Sequence, residues 1–445
     1  MLHSPRLAVG TVQCGTDHQP MLWALMAILE RSGLKIQAFL SQSRFVPRDG
    51  ALSITGQGLR HLDSWIMTRD TCLRVYSSGA GTSDLVFVEG RYDAACESGQ
   101  PIGGSLDTLC QWLDLPRLVV VDASRWRPCL APLPTFRPDG VLLDCVQNPH
   151  QAAHLRTTIE ALWGAPVLGM MDAAPEIRAA IGRLTPGTRP PKELCQALAR
   201  HLAPRLRVEQ LLRMAGERTP LDGPPPCAPL RRSPRGLNVA VAYDDAFHCY
   251  FPDTLDALEA HGARIHDFSP LHGECLPPDT HIVYLGCGHI EHHAEALAAN
   301  HCIKQALRSH VRAGRRVYAE GSGLAYLGCD MELPEGRRYP MAGVLPLISS
   351  LHASRQPPRP VEVTLAQNTW LGAASSRVRG YLNTNWNVHA AASLTRLVVE
   401  PEHRGDLIGR HPVIASRIHL NPAAQPALLR GFLESQRTAH LSGVR

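Results

Sequence analysis

The residues best placed to do chemistry meet at one turn. Val317-Tyr318-Ala319 is a short apolar run, Glu320-Gly321-Ser322-Gly323 a glycine-rich turn, and Leu324-Ala325-Tyr326-Leu327 an apolar helical start. A strand that bends this tightly into a helix makes a nucleophile elbow, which lifts one side chain into the open above a sheet. The crest of an elbow needs a reactive side chain, usually Cys or Ser, to attack an electrophilic carbon. Here the crest falls on Gly321, which has none. Two readings stand. Either Ser322, one place along, is a shifted nucleophile, or the elbow is kept as architecture without its chemistry.

A second turn has the outline of a phosphate loop. After Leu7-Ala8-Val9 comes Gly10-Thr11-Val12-Gln13-Cys14-Gly15-Thr16-Asp17-His18. Holding a triphosphate there takes glycines, so that backbone N–H groups converge on phosphate, a Lys for its charge, and a Ser or Thr for magnesium. Gly10, Thr11 and Gly15 suit those jobs, but Asp17 stands where the Lys belongs and repels a triphosphate. The expectation is a remodelled loop that no longer holds nucleotide. Glu89 closes the apolar run Leu85-Val86-Phe87-Val88, where it serves either as a catalytic acid or as a cap on the next helix.

Both turns require parallel sheets beneath them. Apolar runs predict strands over 7–10, 35–40, 84–89, 117–122, 140–145 and 166–170, and helical periodicity falls at 19–31, 105–113 and 150–163. Strand and helix alternate, which builds an α/β doubly wound sheet with ligands at the carboxyl ends of its strands. Residues 218–236, dense in Pro, Arg and Gly, read as an extended connector. The pattern then restarts, with strands at 237–242, 264–268 and 281–285 and helices at 252–261 and 302–313. The expected division is 1–217, a linker at 218–236, and 237–445.

Bulk numbers exclude some classes. The chain has 445 residues, 44% of them hydrophobic and 19% charged, enough for two or three full cores. Its formal charge of +5 is small for that length and does not demand nucleic acid. The 13 Cys residues are scattered, with no CxxC pair and no zinc-ligand spacing. With an odd thiol count and no apolar leader run, the expected setting is a reducing cytoplasm. No segment approaches the ~20 apolar residues that span a bilayer.

At Leu62-Asp63-Ser64-Trp65 and at Glu89-Gly90-Arg91-Tyr92-Asp93 the chain resembles the cobyrinic acid a,c-diamide synthases. The resemblance continues through Val239-Ala240-Val241-Ala242-Tyr243-Asp244-Asp245-Ala246-Phe247 and Glu291-His292-His293-Ala294-Glu295-Ala296-Leu297. It returns at Tyr339-Pro340-Met341-Ala342-Gly343-Val344-Leu345-Pro346 and Ala415-Ser416-Arg417-Ile418-His419-Leu420, so that it covers roughly the whole chain. It implies two doubly wound, mostly parallel sheets, the first P-loop-NTPase-like and the second class I glutamine-amidotransferase-like. It also implies that Asp63, Glu89, Tyr92 and Asp93 lie near substrate, with Glu89 and Asp93 beside magnesium and a corrinoid carboxylate. His419 matches the glutaminase base.

The departures from that pattern are chemical. Gly321 occupies the place of the nucleophilic Cys, Cys287 enters the glycine pair that shapes the oxyanion side, and Asn421 replaces the second His. Arg44, in Gln42-Ser43-Arg44-Phe45, replaces an acid. Cys287 on the loop facing the elbow, close to His289, His292 and His293, invites a relocated nucleophile or a metal-binding His pair. Incidental surface histidines are the plainer reading, and no metal is expected.

The expectation is a catalytically degenerate homologue, a pseudoenzyme of cobalamin-type or other modified-tetrapyrrole biosynthesis. It would bind a tetrapyrrole or pair with an intact paralogue or a second copy, with no nucleic acid or membrane partner. One alternative is a working ligase that amidates tetrapyrrole carboxylates, using Mg and ATP with ammonia or a partner's glutaminase. The other is a non-enzymatic regulatory protein. Outside the ligase reading no cofactor is expected.

Overall fold

The computed structural model describes residues 4–13, 15–46, 48–92, 103–126, 134–185, 188–223, 236–354, 356–391 and 393–434. Asp93, one of the expected substrate residues, and residues 224–235 of the expected connector lie outside these. The chain divides into two compact units, Met1–Pro226 and Cys227–Arg445.

In the first unit, seven strands form one sheet: β1 (Arg6–Thr11), β2 (Ile36–Leu40), β3 (Arg60–His61), β4 (Leu85–Arg91), β5 (Arg117–Asp122), β6 (Gly140–Val146) and β7 (Val167–Asp172). They lie in the order β3-β2-β4-β1-β5-β6-β7, and every pairing is parallel. A parallel sheet buries both faces, which is why β1 reads as an unbroken apolar run rather than an alternating one. The helix Gln19–Arg31 starts with Pro20 in its first turn, where the missing N–H costs nothing. It buries Met21, Leu22, Leu25, Met26 and Leu29 in a core shared with Leu198, Ala199 and Leu202 of the helix Lys192–Leu202. Burying each such large side chain stabilises the fold by roughly 1.5–3 kcal/mol. Because β1 lies between β4 and β5, the carboxyl ends of β1 and β4 flank the crevice where open α/β sheets take ligands.

The second unit carries β8 (Leu237–Ala242), β9 (Ala263–Phe268), β10 (Ile282–Leu285) and β11 (Arg316–Glu320) in a larger sheet. Its order is Thr395–Arg396, Leu407–Arg410, Val413–Ser416, β11, β10, β8, β9. The pairings from Val413–Ser416 through β9 are parallel, and the edge strands are antiparallel. Two small sheets go beyond the sequence expectation of one sheet per unit. One has four strands, Asp330–Glu332, Arg338–Pro340, Leu347–Leu351 and Trp386–Ala390; the other has three, Arg359–Thr364, Arg377–Leu382 and Ile418–His419. Their strands are short and partly exposed, so they lack the apolar runs that mark the larger sheets. Among the described residues no helix is long and apolar enough to cross a membrane.

Candidate functional site

The elbow is present as a backbone. β11 is buried throughout and leads through Gly321 into the helix Ser322–Leu327, which is also buried. Gly321 sits at φ +52°, ψ −110°, a conformation that only glycine enters without strain. Its N–H donates to the Ser416 carbonyl at 2.7 Å, which fixes the turn against the neighbouring strand. The facing loop is as tightly specified, because a Cβ on Gly288 would lie 1.9 Å from the Ala246 carbonyl oxygen. In this arrangement the Ser322 hydroxyl is engaged away from the crest. It donates to the Gly288 carbonyl at 2.7 Å and ties elbow to loop.

Cys287 fills the space that a crest side chain would take. A Cβ built on Gly321 would lie 2.8 Å from Cys287 Sγ and 3.2 Å from His419 Cε1. The thiol sits 3.0 Å from His419 Nδ1 and 3.6 Å from the Glu320 carbonyl. His419 is positioned by the three-stranded sheet, through the pairing of Tyr381 with His419 and Leu382 with Ile418. Glu320 is fully buried; its Oε1 accepts from Tyr318 Oη at 2.5 Å and from the Leu420 N–H at 3.1 Å. Its Oε2 lies 3.8 Å from His419 Nδ1. Asn421 serves architecture: its Oδ1 accepts from Thr254 Oγ1 and caps the turn at Ala424.

The imidazole is contacted at both ring nitrogens. Asn383 Oδ1 accepts the Asn385 N–H at 2.9 Å, which turns the amide nitrogen toward His419 Nε2 at 3.2 Å. An amide nitrogen only donates, so this contact favours the tautomer in which Nε2 accepts and the ring proton is on Nδ1, facing sulfur. The sulfur then receives a hydrogen bond from Nδ1 and directs its own proton toward the Glu320 carbonyl. Burial pushes the Cys287 thiol well above its ordinary range, Glu320 and Cys249 add to the rise, and only the Ser322 N–H opposes it. A buried thiol held in this form is a poor nucleophile. Iodoacetamide at neutral pH is therefore expected to modify the exposed Cys275, Cys302 and Cys329 while Cys287 reacts at least about tenfold more slowly, read by peptide mass.

In the first unit the structure separates the sequence candidates. Glu89 lies at the carboxyl end of β4, opposite Val9 of β1, and its Oε1 is 3.2 Å from His18 Nε2. The cap reading gives way to this pairing across the strand ends. Asp63 is fully buried, with Oδ2 accepting the Ser43 N–H at 2.7 Å and Oδ1 the Trp65 N–H at 2.9 Å. Ser64 Oγ accepts the Ser105 N–H at 2.8 Å, so the Asp63-Ser64-Trp65 segment staples loops together. Tyr92 is also fully buried and donates its hydroxyl to the Ala8 carbonyl at 3.0 Å. The polar atoms of Asp63 thus bind loop N–H groups and that of Tyr92 binds the sheet, roles that the expectation of substrate contact did not contain.

At the turn after β1, Thr11 Oγ1 accepts the Gln13 N–H at 3.1 Å, and Gln13 is bound to both backbone groups of Asp122 at the end of β5. Gly10 is packed so closely that a Cβ would lie 2.5 Å from the Gly90 carbonyl oxygen. Gly15 faces the Arg125 guanidinium, 3.1 Å from where its Cβ would be. Asp17 Oδ1 accepts the Gln19 N–H at 3.1 Å, so a carboxylate already occupies the start of the helix Gln19–Arg31. Arg44 supplies a carbonyl acceptor to His61 Nε2 at 3.2 Å. His18, Gln13, Arg125 and Asn383 escaped the sequence reading because each reaches its partner from another loop, with no spacing signal.

Known proteins are similar to the chain over different spans. Residues 238–401 match the model of the CobB/CobQ-like glutamine amidotransferase domain. The whole chain is similar to cobyrinate a,c-diamide synthases: that of Syntrophotalea carbinolica is 28% identical over 97% of this chain and 98% of its own. That of Dehalococcoides mccartyi is 27% identical, again over 97% of this chain and 98% of its own. The solved structure of a glutamine amidotransferase overlaps 44% of this chain and 96% of its own, at 18% identity and a TM-score of 0.32.

Proposed function

We propose that this chain is a catalytically degenerate homologue of cobyrinate a,c-diamide synthase, which holds a tetrapyrrole or seats a partner subunit in corrinoid side-chain amidation. The observation that carries the reading is the elbow: Gly321 has no side chain, and the Cys287 thiol stands in its place 3.0 Å from the His419 imidazole. Attack on a glutamine amide needs a thiolate and a base to take its proton, and here the favoured tautomer already has its proton on the nitrogen that faces sulfur.

The turn after β1 does not fit a magnesium triphosphate. A phosphate cradle uses helix-start N–H groups and a cation, whereas here Asp17 takes the Gln19 N–H and brings negative charge. Glu89 with His18 remains the polar pair at the strand ends, placed to meet a ligand there. The partner that supplies ammonia or ATP chemistry is an intact paralogue; a second copy of this chain could pair with it but would bring neither.

Calorimetry of the purified chain with Mg–ATP is expected to give no binding heat, and incubation with glutamine no ammonia. Titration with cobyrinic acid is expected to shift the corrinoid visible bands. ATP consumption coupled to glutamine hydrolysis by the chain alone would falsify the reading.

A further inference from the structure

Outside the elbow, imidazoles and a carboxylate gather at the carboxyl edge of the second sheet. His289 Nδ1 lies 3.1 Å from Glu291 Oε1, and His292 Nε2 lies 3.9 Å from the same oxygen. The His289 ring is centred 5.6 Å from that of His248 and 5.8 Å from that of His292. One ligand atom from each of His289, Glu291 and His292 falls within 4.8 Å of the others.

The backbone that presents them is anchored. Ile290 is fully buried, which pins the short turn Ile290–His293 to the core. Cys249 and Cys287 pair across an antiparallel bridge, and the His248 N–H donates to the Cys287 carbonyl at 3.1 Å. Two loops that are distant in sequence therefore hold His248 against His289. The Glu291 side chain is only 7% exposed, so water compensates its charge poorly.

We propose that His289, Glu291 and His292 bind a first-row divalent metal ion of the zinc type. Imidazole nitrogens with one carboxylate oxygen are the donor set that such ions take, at about 2.0–2.2 Å per bond. Donors around a tetrahedral ion then sit roughly 3.3 Å apart, which matches the 3.1 Å contact and asks the 3.9 Å one to close slightly. His292, 44% exposed, closes it by side-chain rotation alone. Metal binding replaces the imidazole–carboxylate contacts with bonds to the ion and leaves the backbone in place. The site revises the sequence expectation of no metal, and it stands whether or not the elbow is degenerate.

The test uses the purified full chain, stripped with chelator and titrated with Co²⁺ as an optical stand-in for zinc. The expected result is one saturable equivalent with visible bands of a nitrogen/oxygen site, displaced by Zn²⁺. Glu291→Gln and His289→Ala are expected to weaken binding by more than about a hundredfold, and His293→Ala to leave it unchanged. Circular dichroism shows whether each variant folds, and His292→Ala replaces any that does not. The proposal is overturned if the wild type shows no saturable binding, or if folded variants at 289, 291 and 292 bind as it does. A thiolate charge-transfer band in the near ultraviolet would overturn it as well, since it would move the ion to Cys287.

Discussion

Gly321→Cys, made alone, will destabilise the second unit by about 1–3 kcal/mol and will not release ammonia from glutamine. Two costs add. The new Cβ would lie 2.8 Å from Cys287 Sγ and 3.2 Å from His419 Cε1, so at least one of them must move within a packed interior. The new residue must also hold φ near +52°, which side-chain-bearing residues rarely adopt. Pairing the change with Cys287→Gly removes the closer of the two contacts, so part of the lost stability returns, read by denaturant unfolding. Turnover stays absent in the pair, because Asn383 still favours the ring proton of His419 on Nδ1. Ordinary glutaminase rates from the single variant would show that neither the plug nor the imidazole wiring matters.

Acid will weaken both units between about pH 6.5 and pH 4. His61 is pushed down from 6.5 to about 4, chiefly by burial, with the Arg44 carbonyl opposing and the charges of Arg44 and Arg60 adding to the fall. His310, in the other unit, is likewise pushed down to about 4 by burial, against its bond to the Arg316 carbonyl. Unfolded, both rings take a proton near the ordinary value; folded, they refuse it until about pH 4. The unfolded chain therefore binds more protons inside that window, and stability rises with pH across it. Each residue accounts for roughly 3 kcal/mol at full effect, lost as pH falls through the window. Unfolding by urea at several pH values measures the slope, and His61→Gln or His310→Gln should each flatten it in its own unit. A variant slope equal to that of the wild type would discard the explanation.

Much of the scaffold was legible because burial on both faces leaves long apolar runs. Residues 117–122, 237–242 and the helix Gln19–Arg31 fall where hydrophobic patterning places them, since nothing but a core explains that spacing. The elbow glycine was legible for the same kind of reason, as a turn residue between an apolar strand and an apolar helix. The strands that carry His419 and its sheet partners were not, because Ile418–His419 is two residues long and takes its meaning from Tyr381 and Leu382. The tautomer of His419 was further out of reach, since it depends on how Asn385 orients Asn383. Asp63 and Tyr92 show the opposite limit. Their residue types suit a binding site, yet their surroundings put every described bond into backbone, and residue type alone does not reveal what faces it.

The shared space of Gly321 and Cys287 also has a historical consequence. If the crest once held a thiol, the two changes constrain the order of any reversal: restoring the crest first creates a collision, and removing Cys287 first leaves a hole. The two positions are coupled, and a substitution at either one is felt through the other.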